Sequence, residues 1–256
     1  MKSFLGYNRP VITTMLKSTT IKDVIIDIES ALKEGTDAFC LQLEKFDPLE
    51  KNEANLKEVF ATMGDKPCYI TNYRRDNFNK NVPSDEELTE EMLFALSCGA
   101  TLFDVRSDLF DPRPDENEIT FNENAVRKQI ELIKEVHRLG GEVIMSAHTF
   151  RFNPYNEILE IAKAQEERGA DIVKIVTSAE TEEELQAHFE ATLNLNKDIN
   201  KPTLFLCNGS YSRKHRLLGP VLSSSLYLSV QQGKPCGFQP TMADAKQILK
   251  TIGYDL

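Results

Sequence analysis

Residues 142–178 read EVIMSAHTFRFNPYNEILEIAKAQEERGADIVKIVTS. Two short apolar runs, Glu142–His148 and Asp171–Ser178, have the length and β-branched content of buried strands. Between them Pro154–Arg168 reads as a helix with a proline in its first turn. Strand, helix and strand in this order form the repeating unit of a parallel sheet. Each strand carries one chemically unusual residue. The first ends on the imidazole of His148, and the second holds the amine of Lys174 inside Ile172-Val173-Lys174-Ile175-Val176. A buried lysine costs free energy unless it is neutral or paired. A neutral amine attacks ketones, and a nearby histidine moves protons. The pair points to Schiff-base chemistry on a carbonyl substrate.

The same alternation runs outward to both ends of the chain. Toward the N-terminus, strands are expected at Pro10–Met15, Asp37–Glu44, Pro67–Tyr73 and Leu102–Ser107, with helices at Thr20–Glu34, Leu56–Met63, Ser84–Ser97 and Glu123–Leu139. Toward the C-terminus follow a helix at Thr181–Leu195, a strand at Pro202–Asn208, a short helix at Arg213–Leu218, a strand at Ser225–Val230 and a last helix at Met242–Ile252. Helical spacing carries the helices, as in Ile21, Val24, Ile25, Ile28, Ala31 and Leu32 before Gly35. Eight strand–helix units predict an α/β fold, a closed (β/α)8 TIM barrel forming a single domain over 1–256. The competing doubly wound open sheet lacks support, because no G-x-G-x-x-G follows the first strand.

Composition agrees with an enzyme acting on small molecules. At 256 residues and 41% hydrophobic content, the chain has enough apolar material for one large core. The net charge of −10, with no long basic run, argues against nucleic acid or an anionic membrane as partner. No apolar stretch approaches a membrane span, and the N-terminus has no leader pattern, so a cytoplasmic location is expected. The five cysteines are scattered, form no C-x-x-C, and read as small buried hydrophobes. In a barrel of this kind the active site lies at the C-terminal ends of the strands. His148 ends one strand and Lys174 lies in the next, so the two are expected to meet at the barrel mouth.

Several segments together resemble a known family. Ser146-Ala147-His148-Thr149-Phe150, with Asn153-Pro154 beyond, is similar to the S-x-H-D-F-x-x-T-P segment of type I 3-dehydroquinate dehydratases. Gly169–Ile175 resembles that family's lysine strand almost residue for residue. Gly209-Ser210-Tyr211-Ser212-Arg213 resembles its G-x-x-S-R turn, and Phe238-Gln239-Pro240 the end of its S-A-P-G-Q lid. The resemblance spans most of the chain in the family's motif order. It implies that Lys174 forms an imine with the ring ketone of 3-dehydroquinate. His148 then removes the adjacent C–H proton and helps water leave. Ser212 and Arg213 belong to the turn that holds the substrate carboxylate, a task suited to a guanidinium. Gln239 bonds substrate hydroxyls from a closing loop. The resemblance further implies no cofactor and no metal, a small-molecule carboxylate substrate, a homodimer, and a place in the shikimate pathway.

Three segments depart from the family pattern. Its second strand reads E-x-R-x-D, where this chain has Cys40-Leu41-Gln42-Leu43-Glu44. Its third carries T-x-R and then E-G-G, where this chain has Thr71-Asn72-Tyr73-Arg74-Arg75-Asp76-Asn77. By strict spacing Tyr73 replaces the arginine, and a one-residue shift would let Arg74 serve. The lid reads Pro235-Cys236-Gly237-Phe238 where S-A-P-G is expected. The changed shell makes Gln42, Glu44, Asn72 and Arg74 candidates for substrate recognition. Three readings stay open: a 3-dehydroquinate dehydratase, a lysine-imine lyase or aldolase on another keto-acid or keto-polyol, and a non-catalytic barrel that binds a small anion. Elsewhere, His137, His188 and His215 have no metal-ligand spacing. Lys214-His215-Arg216 reads either as a basic patch beside Arg213 or as solvated surface.

Overall fold

The computed structural model describes residues 2–74, 82–114, 117–222, 226–234 and 237–256. Eight strands alternate with eight α-helices among these residues. The strands are β1 (Val11–Leu16), β2 (Ala38–Gln42), β3 (Cys68–Thr71), β4 (Leu102–Arg106), β5 (Glu142–His148), β6 (Ile172–Ser178), β7 (Thr203–Asn208) and β8 (Leu226–Ser229). They form one sheet in the order β7-β6-β5-β4-β3-β2-β1-β8, and every paired neighbour is parallel. Sequential order, with β8 returning to β1, is that of the nearly closed (β/α)8 barrel. Helices α1 (Ile21–Glu34), α2 (Glu53–Thr62), α3 (Asp85–Cys98), α4 (Glu123–Arg138), α5 (Tyr155–Arg168), α6 (Glu182–Asp198), α7 (Ser212–Leu222) and α8 (Met242–Thr251) follow their strands.

Side chains alternate across each strand, so parity decides which residues fill the barrel. Ala38, Cys40, Tyr69, Leu102, Ile144, Ile172, Val176, Leu204 and Leu206 pack together as one interior cluster. The residues of opposite parity, among them Phe39, Leu41, Ile70, Phe103, Val105 and Met145, pack outward against the helices. Lys174 shares the parity of Ile172 and Val176, and Ser146 and His148 that of Ile144. Asp104 and Arg106 likewise follow Leu102, and Tyr73 follows Tyr69. The interior is therefore apolar at its base and polar toward the C-terminal ends of the strands.

Local signals explain the element ends. Thr20 caps α1 by accepting from the Asp23 amide, and Ser84 with Glu87 forms a capping box on α3. Gly169 ends α5 at φ 103°, a conformation that favours glycine, and so launches β6 toward Lys174. Several expected elements differ in extent; α2 starts three residues early and α6 ends three residues late. The second strand stops at Gln42, because Leu43–Lys45 turns into a 3-10 helix. The third stops at Thr71 rather than Tyr73. Helix α7 runs on to Leu222 through Pro220, four residues beyond the expected end. The expected start of the eighth strand at Ser225, the turn residues Arg75, Asp76 and Asn77, and the lid residues Pro235 and Cys236 lie outside the described residues. The described cysteines Cys40, Cys68, Cys98 and Cys207 are free and buried.

Candidate active site

Strand β6 carries Lys174 into the barrel, where the residue is only 4% exposed. Its Nζ lies 2.8 Å from the Tyr69 hydroxyl, 2.8 Å from the Tyr73 hydroxyl and 3.3 Å from Asp104 Oδ2. The amine is thus paired, which resolves how a lysine is tolerated in an apolar strand. Asp104 is the hub of this cluster. Its Oδ1 accepts from Ser146 Oγ at 2.5 Å, while Oδ2 accepts from Tyr69, from Tyr73 at 2.8 Å and from Lys174. Burial alone would raise the Asp104 carboxyl, but Lys174, His148 and the hydroxyl donors hold it below the usual carboxylate range. Burial and the Asp104 charge push both tyrosines well above their ordinary value, so both stay protonated.

His148 ends β5 on the same side of the barrel. Its Nδ1 lies 2.7 Å from Glu118 Oε2, and its backbone amide donates to the same oxygen at 2.7 Å. A carboxylate only accepts, so Nδ1 carries a ring proton, and in the neutral ring Nε2 is the nitrogen with the lone pair. That lone pair faces the Tyr73 hydroxyl at 3.5 Å, and the two rings meet edge-on with centroids 5.2 Å apart. Burial raises Glu118, yet the adjacent imidazole and its hydrogen bonds outweigh this and keep the carboxyl low. Glu118 sits at φ 51° in the β4–α4 connection. That connection is tied down by Arg168, whose guanidinium donates to Ser107 O at 3.0 Å, Thr120 O at 2.5 Å and Gln129 Oε1 at 2.9 Å. Burial pushes Arg168 down to about 10.

Above the lysine lies a cavity of about 370 Å³, lined by Gln42, Glu44, Lys45, Tyr73, Arg74, Arg106, Pro114, Glu118, His148, Phe150 and Asn208. Gln42 Oε1 is buried there with no hydrogen-bond partner among the described residues. Glu44 is held by Thr71 Oγ1 at 2.9 Å, and burial raises its carboxyl. Arg74 reaches the cavity wall, but its fork is taken up by Asp85 at 2.7 and 2.8 Å and by Asp108 at 2.8 Å. Arg106 joins the same network, 3.1 Å from Asp85.

The remaining candidates stand apart from this cavity. Asn72 is turned beneath α3, donating to Leu88 O at 3.2 Å and Glu91 Oε2 at 3.0 Å. Ser212 is the first residue of α7 and is buried. Arg213 pairs with Asp244 at 3.0 Å and donates to Gln239 O at 3.2 Å. Gln239 is buried, accepting from Arg216 at 3.1 Å and donating to Met15 Sδ at 3.2 Å. Arg216 also donates to Cys207 O and to Asn208 Oδ1, each at 2.8 Å. This corrects the reading of Lys214-His215-Arg216 as a solvated or basic surface for His215 and Arg216, while Lys214 is exposed. Arg216 is 4% exposed and His215 is fully buried, because both lie on the face of α7 that packs onto β7 and α6.

Tyr69, Asp104 and Glu118 are not singled out by the sequence, and Tyr73 and Ser146 enter there only as motif positions with no role assigned. Parity offered a signal for Asp104 and Ser146, polar residues on the inward side of apolar strands. No local signal marks Glu118, which reaches His148 from a loop 30 residues upstream.

Comparison with known proteins gives the chain a family and agrees with its fold. A family model described as type I 3-dehydroquinase matches residues 12–255. A 3-dehydroquinate dehydratase from Aromatoleum aromaticum is 31% identical over 116 residues, which is 45% of each chain. One from Pyrococcus abyssi is 24% identical over 247 residues, covering 95% of this chain and 99% of its own. Among solved structures, the type I 3-dehydroquinate dehydratase of Clostridium difficile superposes with a TM-score of 0.81 at 20% identity, covering 96% of this chain and 94% of the other. The 3-dehydroquinate dehydratase of Geobacillus kaustophilus also gives 0.81, at 16% identity, covering 99% and 97%. With its barrel and a match over nearly its whole length, the chain belongs to the type I 3-dehydroquinase family, carbon–oxygen lyases built on the (β/α)8 fold.

Proposed function

We propose that this chain is a 3-dehydroquinate dehydratase that works through an imine on Lys174. The observation that carries the reading is the juxtaposition of a buried, carboxylate-paired amine with an imidazole whose free nitrogen faces the same space. The amine gives up a proton and attacks the ring ketone. The resulting iminium draws electrons from the neighbouring C–H bond, and His148 Nε2 takes that proton. Carrying it as imidazolium, steadied by Glu118, His148 then protonates the departing hydroxyl as water. Hydrolysis of the imine releases the product and restores the lysine.

Recognition is divided between the cavity wall and the α7 side of the mouth. Gln42 Oε1, buried without a donor among the described residues, suits a substrate hydroxyl, and Glu44 beside it suits another. Arg213 takes the substrate carboxylate in exchange for its half-exposed pair with Asp244, a pair of the kind worth only ~1 kcal/mol or less. Ser212 and Gln239 flank that position, and Arg74 forms part of the cavity wall, while Asn72 is engaged by α3 instead. A cytoplasmic location and a homodimer accompany the reading; the location rests on the hydropathy pattern of the sequence and the homodimer on family resemblance.

Sodium borohydride added with 3-dehydroquinate should leave a reduced adduct on Lys174, read by mass spectrometry. Lys174→Ala should abolish turnover and adduct together. His148→Ala should keep some adduct while turnover falls at least ~100-fold. Equal, mild effects from both would contradict the assignment. Gln42 and Tyr73 at inward positions favour a second reading, the same imine chemistry on a different keto-polyol. In that case, trapping succeeds with another carbonyl compound and fails with 3-dehydroquinate. No adduct with any carbonyl compound, despite ligand-induced stabilisation, would mark a binding barrel without catalysis.

A further inference from the structure

We propose that Tyr73 is a catalytic residue, a hydroxyl that carries protons between Lys174 and His148 while the imine forms and breaks. The inference rests on the lysine-imine reading and adds a route that reading leaves undefined. Lys174 Nζ and His148 Nε2 make no direct hydrogen bond among the described residues. Tyr73 Oη touches both, at 2.8 Å from the amine and 3.5 Å from the imidazole nitrogen. Tyr73 also lines the cavity, whereas Lys174 lies beneath it and is not among the described lining residues. A substrate ketone approaching the amine therefore meets Tyr73 on the way.

The hydrogen-bond inventory allows the transfer. A phenol has one proton to give and two lone pairs to receive. Tyr73 now gives its proton to Asp104 Oδ2 and receives one from Lys174. Asp104 Oδ2 is also served by Tyr69 and Lys174, so it stays satisfied when the Tyr73 proton turns toward His148. Burial beside Asp104 keeps Tyr73 protonated, so it acts by exchanging protons rather than as a phenolate.

The balance is simple. An ammonium proton moves to Tyr73 Oη as the phenol proton moves to His148 Nε2. This leaves a free amine, a neutral phenol and an imidazolium. The amine attacks the carbonyl carbon, and the imidazolium protonates the resulting alkoxide. A second proton leaves the carbinolamine nitrogen by the same path and reaches the hydroxyl, which departs as water when the C=N bond forms. Two protons leave nitrogen, both end on oxygen, and tyrosine and histidine are restored.

The test is rapid-quench borohydride trapping with 3-dehydroquinate on the wild-type protein and on Tyr73→Phe. The substitution removes the hydroxyl and keeps the ring. Adduct formation on Lys174 should slow about 100-fold, the usual scale of one acid–base group, with KM little changed. In mixed H2O and D2O the wild-type rate of imine formation should show a curved proton inventory, since two protons move together, and the variant a linear one. Wild-type trapping rates in folded Tyr73→Phe would overturn the proposal, as would a linear wild-type inventory. If the variant fails to fold, the wild-type inventory decides. Absence of a wild-type adduct with 3-dehydroquinate and with every other carbonyl compound tried would instead refute the lysine-imine reading itself.

Discussion

Lowering the pH from 7 to 5 should destabilise this protein through two buried histidines outside the active site. His188 on α6 and His215 on α7 are fully buried, with ring centroids 6.0 Å apart, between Phe152, Phe189 and Phe205. His188 Nε2 bonds Thr177 Oγ1 at 2.9 Å and His215 Nε2 bonds Thr192 Oγ1 at 3.0 Å. Both Nδ1 atoms lack a hydrogen-bond partner among the described residues, so the site offers a second ring proton nothing to bond. Burial pushes His188 down to about 4, against a small opposing effect of Glu184. Burial, then His188 and Arg216, push His215 down to about 3. The unfolded chain protonates both rings near the ordinary histidine value of about 6.5, while the native protein does not. Stability is therefore full above about 6.5 and falls as the pH drops toward the folded-state values. Each ring costs about 1.4 kcal/mol per pH unit in that window, or about 2 kcal/mol by pH 5 and about 4 kcal/mol for the pair. The carboxylates held low, Asp104, Glu118 and Asp85, add their loss only below their ordinary range of about 4. Urea unfolding followed by circular dichroism at pH 7, 6 and 5 measures the slope. His188→Gln and His215→Gln should each remove about half of it, whatever they do to stability at pH 7. An unchanged slope in both variants would refute the reasoning.

Two further outcomes follow from the site. Glu118→Gln should lower kcat about 100-fold with KM little affected, because the imidazolium loses the carboxylate that steadies it and fixes its proton on Nδ1. Steady-state kinetics check this, and wild-type kcat would show that His148 needs no such partner. Arg74→Ala should cost about 3 kcal/mol in urea unfolding, since it takes the forked cation from two buried carboxylates and leaves Asp85 and Asp108, among the described residues, only Arg106 and the amides of Phe110 and Arg113. Arg74→Lys should recover little, as an ammonium does not reproduce the fork. Intact stability with a raised KM would instead make Arg74 a substrate ligand.

The order of strands and helices was legible from period and punctuation. So was the placing of Lys174 and His148 on adjacent strands, because an amine within Ile172–Val176 has few structural explanations. Strand ends were harder to read. Leu43–Glu44 continues an alternating pattern, yet the chain turns there into a 3-10 helix in which Glu44 accepts from Thr71 across the sheet, a contact no local pattern signals. Likewise, α7 extends to Leu222 because its inner face, His215 and Arg216 included, is buried by tertiary packing that the charged local sequence hides.

What the linear chain determined by itself is the inside and outside of each strand, since alternation is a property of a few consecutive residues. What only the closed barrel decided is which inward residues meet. Asp104 reaches Lys174 from 70 positions away, and Tyr69 and Tyr73 reach it from 105 and 101. Such contacts depend on how far each strand is staggered against its neighbours around the whole sheet. Stagger is summed over every pairing, so no single segment carries it. The lysine's paired state and the histidine's proton both follow from it.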